Sequence, residues 1–118
     1  MQASGPGTVS YAAPEALQHN TVSPASDMYS FGCVLWELLS LKEPWAELDG
    51  AVFRIMSKVI QDRAVLDCSE IAPNIRKQLP NVIAAIQTCF SYDPAQRPRA
   101  VQMWDVLEAA IEDVMSQE

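Results

Sequence analysis

The stretch Ser26–Ser40, SDMYSFGCVLWELLS, decides how the rest of the chain is read. Its first two residues, Ser26 and Asp27, suit a helix N-cap, because a short side-chain oxygen can accept from the free N–H groups of the first turn. A run of helical length follows that is apolar on most faces, through Met28, Tyr29, Phe31, Cys33, Val34, Leu35, Trp36, Leu38 and Leu39. A surface helix carries one apolar stripe, so this pattern predicts a helix buried in the middle of a core. Each large side chain it buries contributes roughly 1.5–3 kcal/mol. Gly32 in mid-helix costs about 1 kcal/mol against Ala, which points to a close approach by another backbone.

Outward from this helix, the chain alternates short loops with further helical patterns. Met1–Pro6 has no periodicity, Gly7–Ala12 could form a short extended piece, and Ala13-Pro14-Glu15 opens a brief helical turn with Pro at its first position. His19–Ala25 is turn chemistry leading into the central helix. Beyond it, Leu41–Asp49 is a loop carrying Trp45, and Gly50–Ile60 is amphipathic with Val52, Met56 and Val59 on one side. Residues 61–79 carry the weakest pattern. Pro80–Ser91 is helical with Ile83, Ile86 and Phe90 at spacings of three and four, Tyr92–Pro98 is a tight loop, and Arg99–Met115 is the last helix. Its apolar face is expected to carry Val101, Trp104, Leu107, Ile111 and Val114. No alternating strand pattern is convincing, so the expected class is all-α.

Composition excludes several functions. The 118 residues are 49% hydrophobic and 19% charged, enough to fill one core. A formal net charge of -7 argues against nucleic acid or an anionic membrane surface as partner. Cys33, Cys68 and Cys89 are an odd number without CxxC spacing, which suggests neither a disulfide framework nor a zinc site. Reduced core cysteines suit a cytoplasmic protein. No signal peptide follows Met1, and the longest apolar run, broken by Glu37, is too short to span a bilayer.

Three separated motifs carry a resemblance. GTVSYAAPE, Gly7–Glu15, resembles the end of a protein-kinase activation segment closing in Ala-Pro-Glu. Asp27-Met28-Tyr29-Ser30-Phe31-Gly32 looks like the start of the kinase F-helix. Asp93-Pro94 followed by Arg97-Pro98 is similar to the loop between the last two kinase helices. Glu43-Pro44-Trp45, just after the central helix, adds to the order of these motifs. The resemblance implies the helical substrate lobe of the protein-kinase-like fold, without N-lobe or catalytic loop: 7–115 as a partial kinase domain, 1–6 as the end of the activation segment or a disordered start, and 116–118 as a tail. It leans toward the tyrosine-kinase-like group of serine/threonine kinases.

The chemistry of that family needs a Gly-rich loop over ATP, a paired lysine, a catalytic-loop Asp and Asn, and a magnesium-binding DFG Asp. No G-x-G-x-x-G, H-R-D or D-F-G occurs in this sequence, so no catalytic, cofactor-binding or metal residue is assigned. ATP and Mg2+ belong to a complete parent kinase. By the resemblance, Thr8, Val9, Ser10, Tyr11 and Ala12 bind substrate: Thr8 would contact the catalytic Asp, and the others would form the wall for the residue after the phosphoacceptor. Ala13, Pro14, Glu15, Asp27, Gly32 and Arg97 are structural motif residues. Glu15 and Arg97 resemble the family's buried ion pair, although by composition alone both would be solvated surface charges. Asp27 would cap its helix and also accept from the catalytic loop. Val65–Gln78 is an insertion or an extra short helix, and Arg99 stands where the family often has Thr or Ser. Trp36, Trp45 and Trp104 are expected in the core or lining a groove, and His19 on the surface. In the absence of upstream segments, Asp27 and Tyr29 would face solvent or a partner. Two functions remain open besides a plain helical domain. The chain is a piece of a kinase that is inactive alone, or a non-catalytic lobe that docks protein partners, whether substrate or the missing N-terminal half.

Overall fold

The computed structural model describes residues 9–117, and the readings on Met1–Thr8 lie outside them. Among the described residues there are helices and turns and no strand. The order is α1 (Pro14–His19), α2 (Pro24–Ser40), α3 (Val52–Met56, running on into a wide turn over Ser57–Gln61), α4 (Pro73–Gln78), α5 (Pro80–Cys89) and α6 (Ala100–Met115). Single 3-10 turns sit at Ala46–Leu48, Cys68–Glu70 and Pro94–Gln96.

The central helix α2 starts earlier than Ser26-Asp27 suggests. Ser23 is its N-cap, and Pro24 fills the first helical position, where a missing N–H costs nothing. Ser23 Oγ accepts from the Ser26 N–H at 3.1 Å, and Ser26 Oγ accepts from the Ser23 N–H at 2.8 Å. This reciprocal pair satisfies two orphan donors, so Asp27 lies inside the first turns, exposed, and caps nothing. The helix ends at Leu41, which adopts the left-handed conformation at φ 62° and is 88% exposed.

Burial corrects the expectation for α2 as well. Met28, Tyr29, Gly32, Cys33 and Trp36 are buried, whereas Phe31, Val34 and Leu38 are exposed. The helix therefore has a core face and an open apolar face, the second following Asp27 at spacings of three and four. Tyr29 belongs to the core face, its ring 5.5 Å from that of Phe90. Gly32 allows α2 to close on α5. A Cβ built there would meet Cys89 Cβ at 2.6 Å and Phe90 Cε1 at 3.1 Å, so the neighbour is a side chain and not bare backbone.

The other helices pack around that contact. In α3 and the wide turn after it the core residues are Ile55 and Val59, four apart, while Val52 and Met56 are only half-buried. In α6 the buried residue is Met103, with Val106, Leu107 and Ala110 packed against the core. Val101, Trp104 and Ile111, expected inside, are exposed. An apolar stripe broader than the contact leaves its outer edge in water.

The weakly patterned stretch before α4 is stitched down by single contacts. Trp36 Nε1 donates to the Asp67 carbonyl at 2.9 Å, and Leu66, Cys68 and Ile71 enter the core beside it. Helix α4 occupies part of Val65–Gln78. Arg63, at φ 52°, turns the chain back and lies 4.1 Å over the ring of Tyr92. Trp45 is buried and also left-handed, at φ 57°. Cys33, Cys68 and Cys89 are all buried free thiols, and no helix among the described residues is long and apolar enough to cross a membrane.

Candidate functional site

The candidate site is the segment leading into α1 and the side chains that hold it on the lower helices. Val9 and Ser10 are helical and Tyr11 is a turn, closed by the Ala12 N–H donating to the Val9 carbonyl at 3.2 Å, so this part is not extended. Two contacts from α2 explain why. The Tyr11 hydroxyl donates to the Glu37 carboxylate, and Ser30 Oγ donates to the Tyr11 carbonyl at 2.8 Å. The hydrogen bond to Glu37, then burial, then the charges of Glu37 and Glu43 push the Tyr11 phenol up to about 12. Val9 and Tyr11 pack against the main core, and Ala13 is buried within it.

Past Ala13, Pro14 sets the first helical position of α1, and Glu15 projects from the next. Arg97 meets it as a two-pronged fork: Nη1 to Glu15 Oε2 at 2.7 Å and Nη2 to Glu15 Oε1 at 2.8 Å. The guanidinium reaches further. Nε donates to the Ser91 carbonyl at 2.9 Å, Nη1 to the Ala25 carbonyl at 2.9 Å, and Nη2 to the Tyr92 carbonyl at 3.4 Å. Its carbon lies 5.1 Å from the centre of the Tyr29 ring. An arginine offers five N–H donors in a rigid fork, and these contacts use all of them. The Arg97 side chain has 0% exposure and that of Glu15 16%. Burial alone would raise the Glu15 carboxyl, but the hydrogen bonds and charge of Arg97, with a backbone hydrogen bond, hold it below the usual range. One side chain thus ties α1 to the start of α2 and to the turn after α5.

The remaining residues singled out in the sequence divide by place. Asp27 sits on the exposed face of α2 and lines, with Arg97, a cavity between the start of α2 and the turn after α5, and Gly32 lies at the α2–α5 contact. Thr8 is outside the described residues. His19 is exposed. Sequence reasoning missed Glu37 and Ser30 as the residues that seat Tyr11. The available signal was Glu37 itself, the one carboxylate interrupting an apolar run of this helix. Among the described residues no three His, Cys, Asp or Glu side chains converge to hold a metal ion.

Comparison with known proteins agrees with this layout. A family described as "Protein kinase domain" matches residues 2–106. Mitogen-activated protein kinase kinase kinase 7 of Homo sapiens is 34% identical over 93 residues, 78% of this chain and 14% of that protein. Serine/threonine-protein kinase CTR1 of Arabidopsis thaliana is 33% identical over 114 residues, 95% of this chain and 13% of that one. Dual specificity protein kinase shkC of Dictyostelium discoideum is 33% identical over 112 residues, 95% of this chain and 21% of its own length. The chain therefore spans only 13% to 21% of these relatives. With its all-helical fold, its match over residues 2–106 and these relatives, the chain belongs to the protein kinase domain family and represents a piece of that domain.

Proposed function

We propose that this chain is the substrate lobe of a serine/threonine protein kinase of the tyrosine-kinase-like group, acting in the cytoplasm. Joined to the half that carries the nucleotide chemistry, it serves transfer of the γ-phosphate of ATP to Ser or Thr hydroxyls of protein substrates. Its own part is positional. Val9, Ser10, Tyr11 and Ala12 form the wall beside the phosphoacceptor, and Thr8 reaches toward the catalytic Asp of the other half. The open face of α2 with Asp27, Phe31 and Val34 is where that half docks. ATP and Mg2+ are held by residues outside this chain.

The observation that carries the reading is the Arg97–Glu15 fork, buried and using every donor of the guanidinium. It fixes the end of the substrate-facing segment to the lower helices, and a peptide platform needs that rigidity because misplacement lowers the rate of a positioned reaction. Calorimetry and a kinase assay test it together. The 118-residue chain alone should neither bind Mg-ATP nor phosphorylate a Ser/Thr peptide. The same chain within its parent kinase should do both. Micromolar, magnesium-dependent ATP binding by the chain alone would overturn the division of labour proposed here.

A further inference from the structure

The turn after α5 carries a second arginine contact besides the fork of Arg97. Arg63 lies just past the wide turn that ends α3, in the left-handed region at φ 52°, and its guanidinium carbon stands 4.1 Å over the centre of the Tyr92 ring. The backbone holds both sides of this contact. The Ala64 N–H donates to the Lys58 carbonyl at 2.9 Å, while the Ser91 and Tyr92 carbonyls accept from Arg97 at 2.9 and 3.4 Å. Arg63 is exposed, and among the described residues it forms no ion pair and the Tyr92 hydroxyl makes no hydrogen bond. We infer that Tyr92 is a phosphorylation site for a protein tyrosine kinase, and that Arg63 receives the phosphate.

The three tyrosines of the chain differ in what surrounds them. Tyr29 is 3% exposed, with its ring against that of Phe90. The Tyr11 hydroxyl is committed to the Glu37 carboxylate. Tyr92 is only half-buried and sits outside any helix, with Asp93, Ala95 and Gln96 exposed directly after it. Surface turns are the parts of a fold that a modifying enzyme reaches without unfolding the core. In the transfer, the Tyr92 phenolic oxygen bonds to the γ-phosphorus of ATP as that phosphorus parts from the bridging oxygen. ADP leaves, and the phenolic proton passes to a base of the attacking kinase.

Arg63 decides what the phosphate does once attached. A phosphotyrosine carries roughly two negative charges near neutral pH and strong acceptor oxygens. A planar guanidinium meets two such oxygens side by side. This guanidinium already covers the ring whose end would bear the phosphate, so a turn of the Arg63 side chain completes the pair and the backbone stays in place. Asp62 and Asp93 adjoin the two residues in sequence and oppose the phosphate. Both are exposed to screening, and the Asp93 carboxylate already accepts from the Ala95 N–H at 3.0 Å. The new pair latches the segment after α3 to the turn that Arg97 holds from its other side.

Two measurements on the 118-residue chain test the site and the latch. Incubation with the catalytic domains of two tyrosine kinases of different specificity and Mg-ATP, followed by mass spectrometry, should place phosphate on Tyr92, and Tyr92→Phe should take up none. Separately, phosphotyrosine installed at position 92 during synthesis should raise the Tm by about 3 °C or more at low salt, and by less as salt rises. Arg63→Gln keeps the side-chain length without the charge, and in it the same phosphotyrosine should give no rise. Phosphate on Tyr11 or Tyr29 in place of Tyr92, or on no tyrosine with either kinase, would overturn the site. An unchanged or lowered Tm, or a rise that persists in Arg63→Gln, would overturn Arg63 as the receiver.

Discussion

Removing Arg97 should be among the most damaging single changes this chain can suffer. Arg97→Ala leaves the Glu15 carboxylate without its fork and leaves the carbonyls of Ser91, Ala25 and Tyr92 without that donor. Breaking a buried pair by deleting one partner costs about 3–5 kcal/mol. Glu15 keeps 16% side-chain exposure, so water can partly solvate the orphaned charge, and the expected loss is near the lower end, about 3 kcal/mol. Glu15→Ala strands a guanidinium with 0% exposure, but three carbonyls still surround it, and its cost should be similar. The double variant should fall well short of the sum, because the two residues share one interaction. Arg97→Lys should recover little, since an ammonium is a point charge that cannot present the planar fork. Urea unfolding followed by circular dichroism, at a pH near neutrality, measures all four variants. The Glu15 carboxyl is held low, so its contribution is fully present above the unfolded value and vanishes as pH falls through the folded one. Wild type and Glu15→Gln should therefore converge in stability as pH falls from the ordinary Glu value of about 4.3 through the lower folded one. Near-neutral single effects that simply add would refute the buried fork, as would a gap between them that widens in acid.

Gly32→Ala should destabilise by about 1–2 kcal/mol despite the better helix former, because the new Cβ meets Cys89 Cβ at 2.6 Å and overpacking outweighs propensity. Thermal unfolding checks this, and Cys89→Ala should not rescue it, since the clashing atom remains. Burial pushes the Cys89 thiol up to about 11 and the Cys33 thiol upward too, so both should resist a thiol reagent near pH 8 until the chain unfolds. Labelling followed by mass spectrometry reads this, and fast labelling of either in the folded chain would contradict the core placement. Tyr11→Phe removes the donor to Glu37 and should cost about 1 kcal/mol, with faster proteolytic cleavage near residues 9–12 than in wild type. In the wild type that contribution persists below pH 10 and is lost as pH rises toward 12. Spectrophotometric titration of the phenol against the Tyr11→Phe variant follows it.

How far the sequence determined this protein depends on the range of the interaction. The helices around Ser26–Ser40, Pro80–Ser91 and Arg99–Met115 follow from local pattern, because helical hydrogen bonds join residues four apart. The family resemblance followed from short motifs whose glycines, prolines and charges sit at fixed spacings. The capping of α2 was decided by a competition the sequence left open, since Ser23 with Pro24 satisfies the first turn before Ser26-Asp27 can. Which side of an apolar helix is wet cannot be read from the helix. Phe31, Val34, Trp104 and Ile111 are as hydrophobic as their buried neighbours, and only the arrangement of α2, α5 and α6 leaves them outside. The same holds for Leu66 and Ile71, which enter the core without any periodicity, beside hydrogen bonds from Trp36 to the Asp67 carbonyl and from Arg76 to the Ile71 carbonyl. Tertiary structure alone joined Glu37 to Tyr11 across 26 residues, whereas the pairing of Arg97 with Glu15 across 82 was implied by the family resemblance and by no local pattern. A charge pair of that separation leaves no local pattern, because it exists only where the folded backbone brings two distant side chains into one dry place.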